Sequence, residues 1–258
     1  APARARLLRE CLAAGVGGAI ADAIYNPATV LQVRGQLSPH VSTGELARSA
    51  VSRDGIVFGL WVPGRAAICL RARTYSGTRV GLYPMVRDLL PGDGFATKVA
   101  AGSTTGLVGA AAFAPAEVVR VRCIAAHGTA AAHPRLGHAF AAVAREGALW
   151  RGATPFAARC ACFSGAQLAV YESSKRALLS SGWVAQEGPP LHIFSSCVSG
   201  ICAQVVCHPL DTLKTLVVAQ APGARTGALA LAGQLMASGG LRRLYAGLLP
   251  ALVSRGPM

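Results

Sequence analysis

SCVSGICAQVVCHPLDTLK, residues 196–214, decides the fold, because its frame of Ser196, Gly200, Pro209, Asp211 and Lys214 returns twice elsewhere in the chain. Ala14, Gly18, Pro27, Thr29 and Gln32 keep the same intervals, and so do Gly102, Gly106, Pro115, Glu117 and Arg120. Pro27 to Pro115 is 88 residues and Pro115 to Pro209 is 94, the length of one structural repeat. A second block follows each frame: Asp54-Gly55, Glu146-Gly147 and Gly239-Gly240 precede Gly59, Gly152 and Gly247, beside Leu60-Trp61, Trp150-Arg151 and Leu244-Tyr245. Each copy has room for two long helices joined by a short one.

Small residues four apart let two helix backbones approach closely where no water drives them together. Pro27, Pro115 and Pro209 each kink a helix, a geometry tolerated in a bundle whose neighbours satisfy the freed carbonyls. Three kinked helices of this kind converge around a common axis. Composition agrees: of 258 residues 52% are hydrophobic and 14% charged, and the mean hydropathy is +0.43. That is too few charges to coat a water-soluble globule and too much apolar content for disorder.

The expected odd-numbered helices cover 6–36, 95–124 and 190–220, and the even-numbered ones 66–91 and 154–182. Runs 99–116 and 193–207 contain no Asp, Glu, Lys or Arg, as lipid-crossing segments require. The arginines on the even spans, Arg71, Arg73, Arg79 and Arg159, then face a wet interior. The loops 34–64, 118–152 and 214–247 are rich in Lys and Arg, which places them on the cytoplasm-like side. The basic opening at Arg4, Arg6 and Arg9 is read as a helix start on a chain cut at its N-terminus.

Twenty-five Lys and Arg against eleven Asp and Glu, a net charge of +14, call for an anionic partner. No stacking stripe or nucleic-acid motif accompanies the charge, which leaves anionic lipid and small anionic metabolites rather than nucleic acid. The eight cysteines and six histidines lack metal-ligand spacing, so the thiols read as small buried residues. No nucleophile, base and acid set or phosphate loop appears, so neither an enzyme, a metal site nor a cofactor is expected.

On these residues the chain resembles the mitochondrial carrier family. Pro115-Ala116-Glu117-Val118-Val119-Arg120 and Pro209-Leu210-Asp211-Thr212-Leu213-Lys214 match the family's P-x-[DE]-x-x-[KR] signature, and Pro27-Ala28-Thr29-Val30-Leu31-Gln32 is a degenerate copy. Residues 71–83 and 166–175 are similar to the branch that holds the oxoglutarate/malate carrier, dicarboxylate carriers and uncoupling proteins. The resemblance implies an all-α membrane protein: three tandem two-helix repeats, 1–92, 93–183 and 184–258, in a pseudo-threefold transmembrane bundle of the mitochondrial inner membrane. It implies a monomer that touches anionic lipid such as cardiolipin.

Alternating access would exchange small carboxylate anions around a midplane site. Carried over, the matrix gate consists of Thr29, Gln32, Glu117, Arg120, Asp211 and Lys214. Its implied links are Glu117 with Lys214, Thr29 with Arg120, and Asp211 with Gln32, so two of three have lost a charge. The implied cytoplasmic gate is Tyr83, Arg87, Tyr171, Glu172 and Lys175. Arg71 and Arg159, each twelve residues before a tyrosine, would grip carboxylates through their planar forks, with Tyr75, Arg79 and Gln167 on the same faces.

The third repeat reaches only eight residues past Pro250, which implies a sixth helix largely missing and a C-terminally truncated carrier. Alternatives are an uncoupling-type proton and anion carrier, or a truncated paralogue that does not transport.

Overall fold

The computed structural model describes residues 16–17, 20–63, 85–91, 94–126, 136–181, 188–220 and 226–255. Ala14, Gly18, Arg71, Tyr75, Arg79 and Tyr83 lie outside them. The elements are α1 (Asn26–Leu37), α2 (Thr43–Ile56) with a π-helical turn at Val57–Trp61, and α3 (Phe95–Ala126). They continue as α4 (Leu136–Arg145), α5 (Ala153–Ser180), α6 (Pro189–Ala219), α7 (Ala228–Leu244) and α8 (Leu248–Arg255). No strand occurs among the described residues. The long–short–long order shows in α3–α4–α5; in the third repeat the long α6 is followed by α7 and by the eight-residue α8.

The polar connecting helix α2 starts on a capping box: the Ser42 side chain accepts from the Glu45 N–H, and the Glu45 carboxylate accepts from the Ser42 N–H. Gly55, Gly147 and Gly240, one per repeat, all turn the chain at positive φ (77°, 64° and 60°), a conformation that only glycine adopts without strain. The repeat seen in sequence is therefore also a repeat of backbone shape.

Each proline leaves the carbonyl four residues before it without its helical donor. For Pro27 and Pro115 the structure supplies one from the following loop. The Trp61 indole N–H donates to the Ala23 carbonyl at 3.1 Å, and that of Trp150 to the Ala111 carbonyl at 3.2 Å. The chain bends at Tyr25, so Pro27 falls in the first turn of α1, whereas Pro115 and Pro209 lie inside α3 and α6. The residue before the proline also reaches that loop: the Asn26 amide donates to the Trp61 carbonyl at 2.6 Å, and His208 Nε2 lies 3.0 Å from the Ala246 carbonyl. In the third repeat Tyr245 stacks on His208, ring centroids 6.0 Å apart.

α3 and α5 meet through the glycines of the small-residue frame. A Cβ on Gly106 would touch Cys160 at 3.5 Å and one on Gly102 would touch Ser164 at 3.7 Å, which is the close approach the frame predicts. Contacts also run between repeats. Gly152 of the second packs on Val218 and the Lys214 carbonyl of α6, and Gly247 of the third packs on the Gln32 carbonyl of α1. An apolar core of Val30, Val33, Val118, Val119, Ile124 and Val218, with Val143 of α4, joins α1, α3 and α6 at the proline-motif ends.

Along α6 the pattern of burial is inverted relative to a surface helix of a soluble protein. α6 buries Ser195, Ser199, Gln204, His208, Asp211, Thr212 and Lys214 and exposes Ile193, Phe194, Ile201 and Val206. Polar groups inside and apolar groups outside suit a helix whose outer solvent is hydrocarbon. Among the described residues α6 alone is long and apolar enough to cross a membrane by itself. α3 lacks charge over 99–116 but fills that run with Ala, Gly, Ser and Thr, which lowers its hydropathy.

Candidate functional site

Three helices bring five charges together in the interior. α3 supplies Glu117 and Arg120, α6 supplies Asp211 and Lys214, and α5 supplies Arg159, all between 2% and 7% exposed. Arg120 makes two charge-assisted bonds to Glu117 of its own motif, Nε to Oε2 at 2.9 Å and Nη2 to Oε1 at 2.6 Å. Glu117 Oε1 also accepts from Lys214 Nζ across the α3–α6 contact. The Lys214 ammonium sits 4.4 Å from the centroid of the Phe156 ring, a cation–π contact between two buried groups.

Beside this trio lies a second one. Arg159 Nε is 2.5 Å from Asp211 Oδ1, its Nη2 donates to Gln204 Oε1 at 3.5 Å, and its guanidinium lies 5.2 Å from the Phe163 ring centroid. Gln204 closes the group by donating from Nε2 to Asp211 Oδ2 at 3.0 Å. The Asp22 carboxylate is close enough for its charge to act on Arg120. Buried ions need partners with good geometry, and this cluster draws them from α3, α5 and α6.

The structure joins Glu117 and Lys214, one of the three links implied by resemblance. The other two partnerships differ. The Thr29 hydroxyl donates to the Tyr25 carbonyl at 3.3 Å, and Arg120 forks onto Glu117 instead. Gln32 is buried, and its Oε1 has no hydrogen-bond partner among the described residues, while Asp211 takes Arg159. The cause is electrostatic. With no acid at 29 and no base at 32, each buried charge of these motifs turns to the nearest full opposite charge.

Arg159 is thus inside, as a solute-gripping residue must be, but its fork is already held by a carboxylate. Gln167 stands two turns further along α5, half-buried. Of the implied cytoplasmic gate, the Tyr171 hydroxyl lies 2.6 Å from Nδ1 of His192 and the two rings stack. Arg87, Glu172 and Lys175 are half-buried. Sequence reasoning missed Gln204, His192 and Asp22. Gln204 had a signal, since it is seven residues before Asp211 and so shares its face of α6; His192 and Asp22 had none.

The profile of the family described as mitochondrial carrier protein matches residues 3–94, 92–182 and 185–258 in succession. This chain belongs to the mitochondrial carrier family. Membership makes it a carrier of small metabolites across a membrane and not an enzyme. Similar proteins include mitochondrial uncoupling protein 4 of Arabidopsis thaliana, 32% identical over 90% of this chain and 77% of that protein. The mitochondrial 2-oxoglutarate/malate carrier protein of Mus musculus is 32% identical over 79% of this chain and 70% of its own. The brown fat uncoupling protein 1 of Ovis aries is 29% identical over 96% and 86%.

Proposed function

We propose that this carrier exchanges small carboxylate anions, of the dicarboxylate and 2-oxoglutarate class, across the mitochondrial inner membrane as a multi-pass monomer working by alternating access. The observation that carries the reading is the Arg159–Asp211 pair: a buried guanidinium already binding a carboxylate. A solute carboxylate offers Arg159 the same planar, charged partner. On this reading the solute displaces Asp211, and the displaced carboxylate loosens the α5–α6 contact that Gln204 and Arg159 hold on the side of the proline motifs. Solute binding and opening are then one event.

In this proposal Arg71, Tyr75, Arg79 and Gln167 complete the solute site with Arg159. Thr29, Gln32, Glu117, Arg120, Asp211 and Lys214 form the matrix gate. Tyr83, Arg87, Tyr171, Glu172 and Lys175 form the cytoplasmic one. Anionic lipid, cardiolipin included, faces the basic loops. The relatives named as 2-oxoglutarate/malate carriers support the substrate class.

A second reading, proton and anion leak of the uncoupling type, is favoured by the relatives named as uncoupling proteins. Proteoliposomes separate the two. Uptake of labelled malate that depends on internal malate or oxoglutarate supports exchange. Proton flux stimulated by fatty acid, with no counter-exchange, supports the second reading and overturns the first.

A further inference from the structure

α5 and α6 run antiparallel and touch at matched positions. Tyr171 of α5 meets His192 of α6; twelve residues back along α5, Arg159 meets Gln204, twelve residues further along α6. Arg159 also reaches Asp211, two turns beyond Gln204. Beside that ion pair stand two thiols. Cys162 follows Arg159 by three residues and Cys207 precedes Asp211 by four. Each is therefore about one helical turn from the pair, on the same face, and both lie toward the same end of the antiparallel contact.

The register brings the two sulfurs together: the Cys162 and Cys207 thiols share a hydrogen bond, and the charges of Arg159 and Asp211 act on Cys207. Both thiols are free. Cys162 is half-buried, whereas Cys207 is fully enclosed. Cys160, two residues from Cys162, is turned to α3 instead, where it meets Gly106. Two thiols already in contact need little backbone movement to bridge.

We propose that Cys162 and Cys207 form a redox modification site, a thiol pair that a peroxide converts to a disulfide, locking α5 to α6. The more exposed Cys162 reacts first, as thiolate. Its sulfur attacks one peroxide oxygen and the O–O bond breaks, which leaves a sulfenic acid and a hydroxide that takes up the thiol's proton as water. The Cys207 sulfur then attacks the Cys162 sulfur. The S–S bond forms, the S–O bond breaks, and the hydroxyl departs with the Cys207 proton as a second water. Two electrons have passed from the thiols to the peroxide, and a dithiol reductant returns them. A bond one turn from Arg159 and Asp211 holds α5 on α6 where, on the proposed function, solute must loosen them. Arrest of exchange therefore rests on that function; the link itself does not.

Proteoliposomes holding the whole chain, treated with hydrogen peroxide and then with dithiothreitol, test the proposal. Mass spectrometry of a non-reducing digest should recover the Cys162 and Cys207 peptides joined and two hydrogens lighter. Malate counter-exchange should be lost on oxidation and return on reduction. Cys162→Ser and Cys207→Ala should each exchange malate as the wild type does and become insensitive to peroxide, while Cys160→Ser stays sensitive. In detergent the oxidised chain should unfold at a higher temperature than the reduced one, a readout of the link that needs no transport. The inference is overturned by absence of the joined peptides, by a joined pair that includes Cys160 or Cys202, or by joined peptides with exchange unchanged. A loss of exchange that dithiothreitol does not reverse overturns it too. A reduced wild type that exchanges no malate overturns the proposed function instead, and the joined peptides with the unfolding temperature then decide this inference.

Discussion

Glu117 is the residue on which two buried cations depend. Replacing it by Gln strands both Arg120 and Lys214, and loss of one partner from a buried pair costs about 3–5 kcal/mol. Thr29→Ala removes only a hydroxyl bonded to its own helix, for which about 1 kcal/mol is expected. Thermal unfolding in detergent should therefore drop far more for Glu117→Gln than for Thr29→Ala; equal drops would refute the assignment of Glu117 as the hub. Thr29→Asp with Gln32→Lys supplies the missing acid and base beside Arg120 and Asp211. The expected result is a firmer closed state and a lower exchange rate in proteoliposomes, and an unchanged rate counts against the gate. The positions of these charges were legible in sequence because the proline frame repeats. Their partners were not, because an ion whose expected partner is neutral chooses by distance, and distance between helices is not written in one motif.

Among the elements, the helices themselves were the legible part. Charge-free runs and the repeat anticipated α3, α5 and α6 to within about two residues at each end, the usual uncertainty of helix boundaries. The indole bonds that mend the proline breaks were not legible, since nothing in sequence ties Trp150 to a carbonyl 39 residues earlier. Trp150→Phe keeps the apolar ring and removes the donor, so it should lower stability by about 1 kcal/mol. A Phe variant as stable as wild type would show that the bond contributes nothing. Two glycines of similar φ separate backbone strain from packing. Gly55 (φ 77°) faces open space, whereas a Cβ on Gly247 (φ 78°) would lie 2.8 Å from the Gln32 carbonyl oxygen. Both Ala variants incur positive-φ strain of roughly 1–3 kcal/mol. Gly247→Ala should unfold at a clearly lower temperature than Gly55→Ala, because only there must α8 move off α1.

At the scale of the whole molecule, three consecutive family repeats define a membrane carrier, and five charges gather in its interior beside α6, which turns polar groups inward and large apolar ones outward. That much followed from composition and period. Three of the five residues of the implied solute site, Arg71, Tyr75 and Arg79, lie outside the described residues, so the site rests on Arg159 and its neighbours. Substrate class is the least legible property for a physical reason: any small carboxylate satisfies a guanidinium fork, and selection among them depends on side chains that line the remainder of the cavity. The most direct test is malate counter-exchange in proteoliposomes by the wild-type chain, Arg159→Lys and Arg159→Gln, with wild-type stability checked in each. Exchange by the wild type, a loss of at least about tenfold in Arg159→Lys through removal of the fork, and none detectable in Arg159→Gln is the outcome expected. Exchange by Arg159→Gln at the wild-type rate would contradict the account.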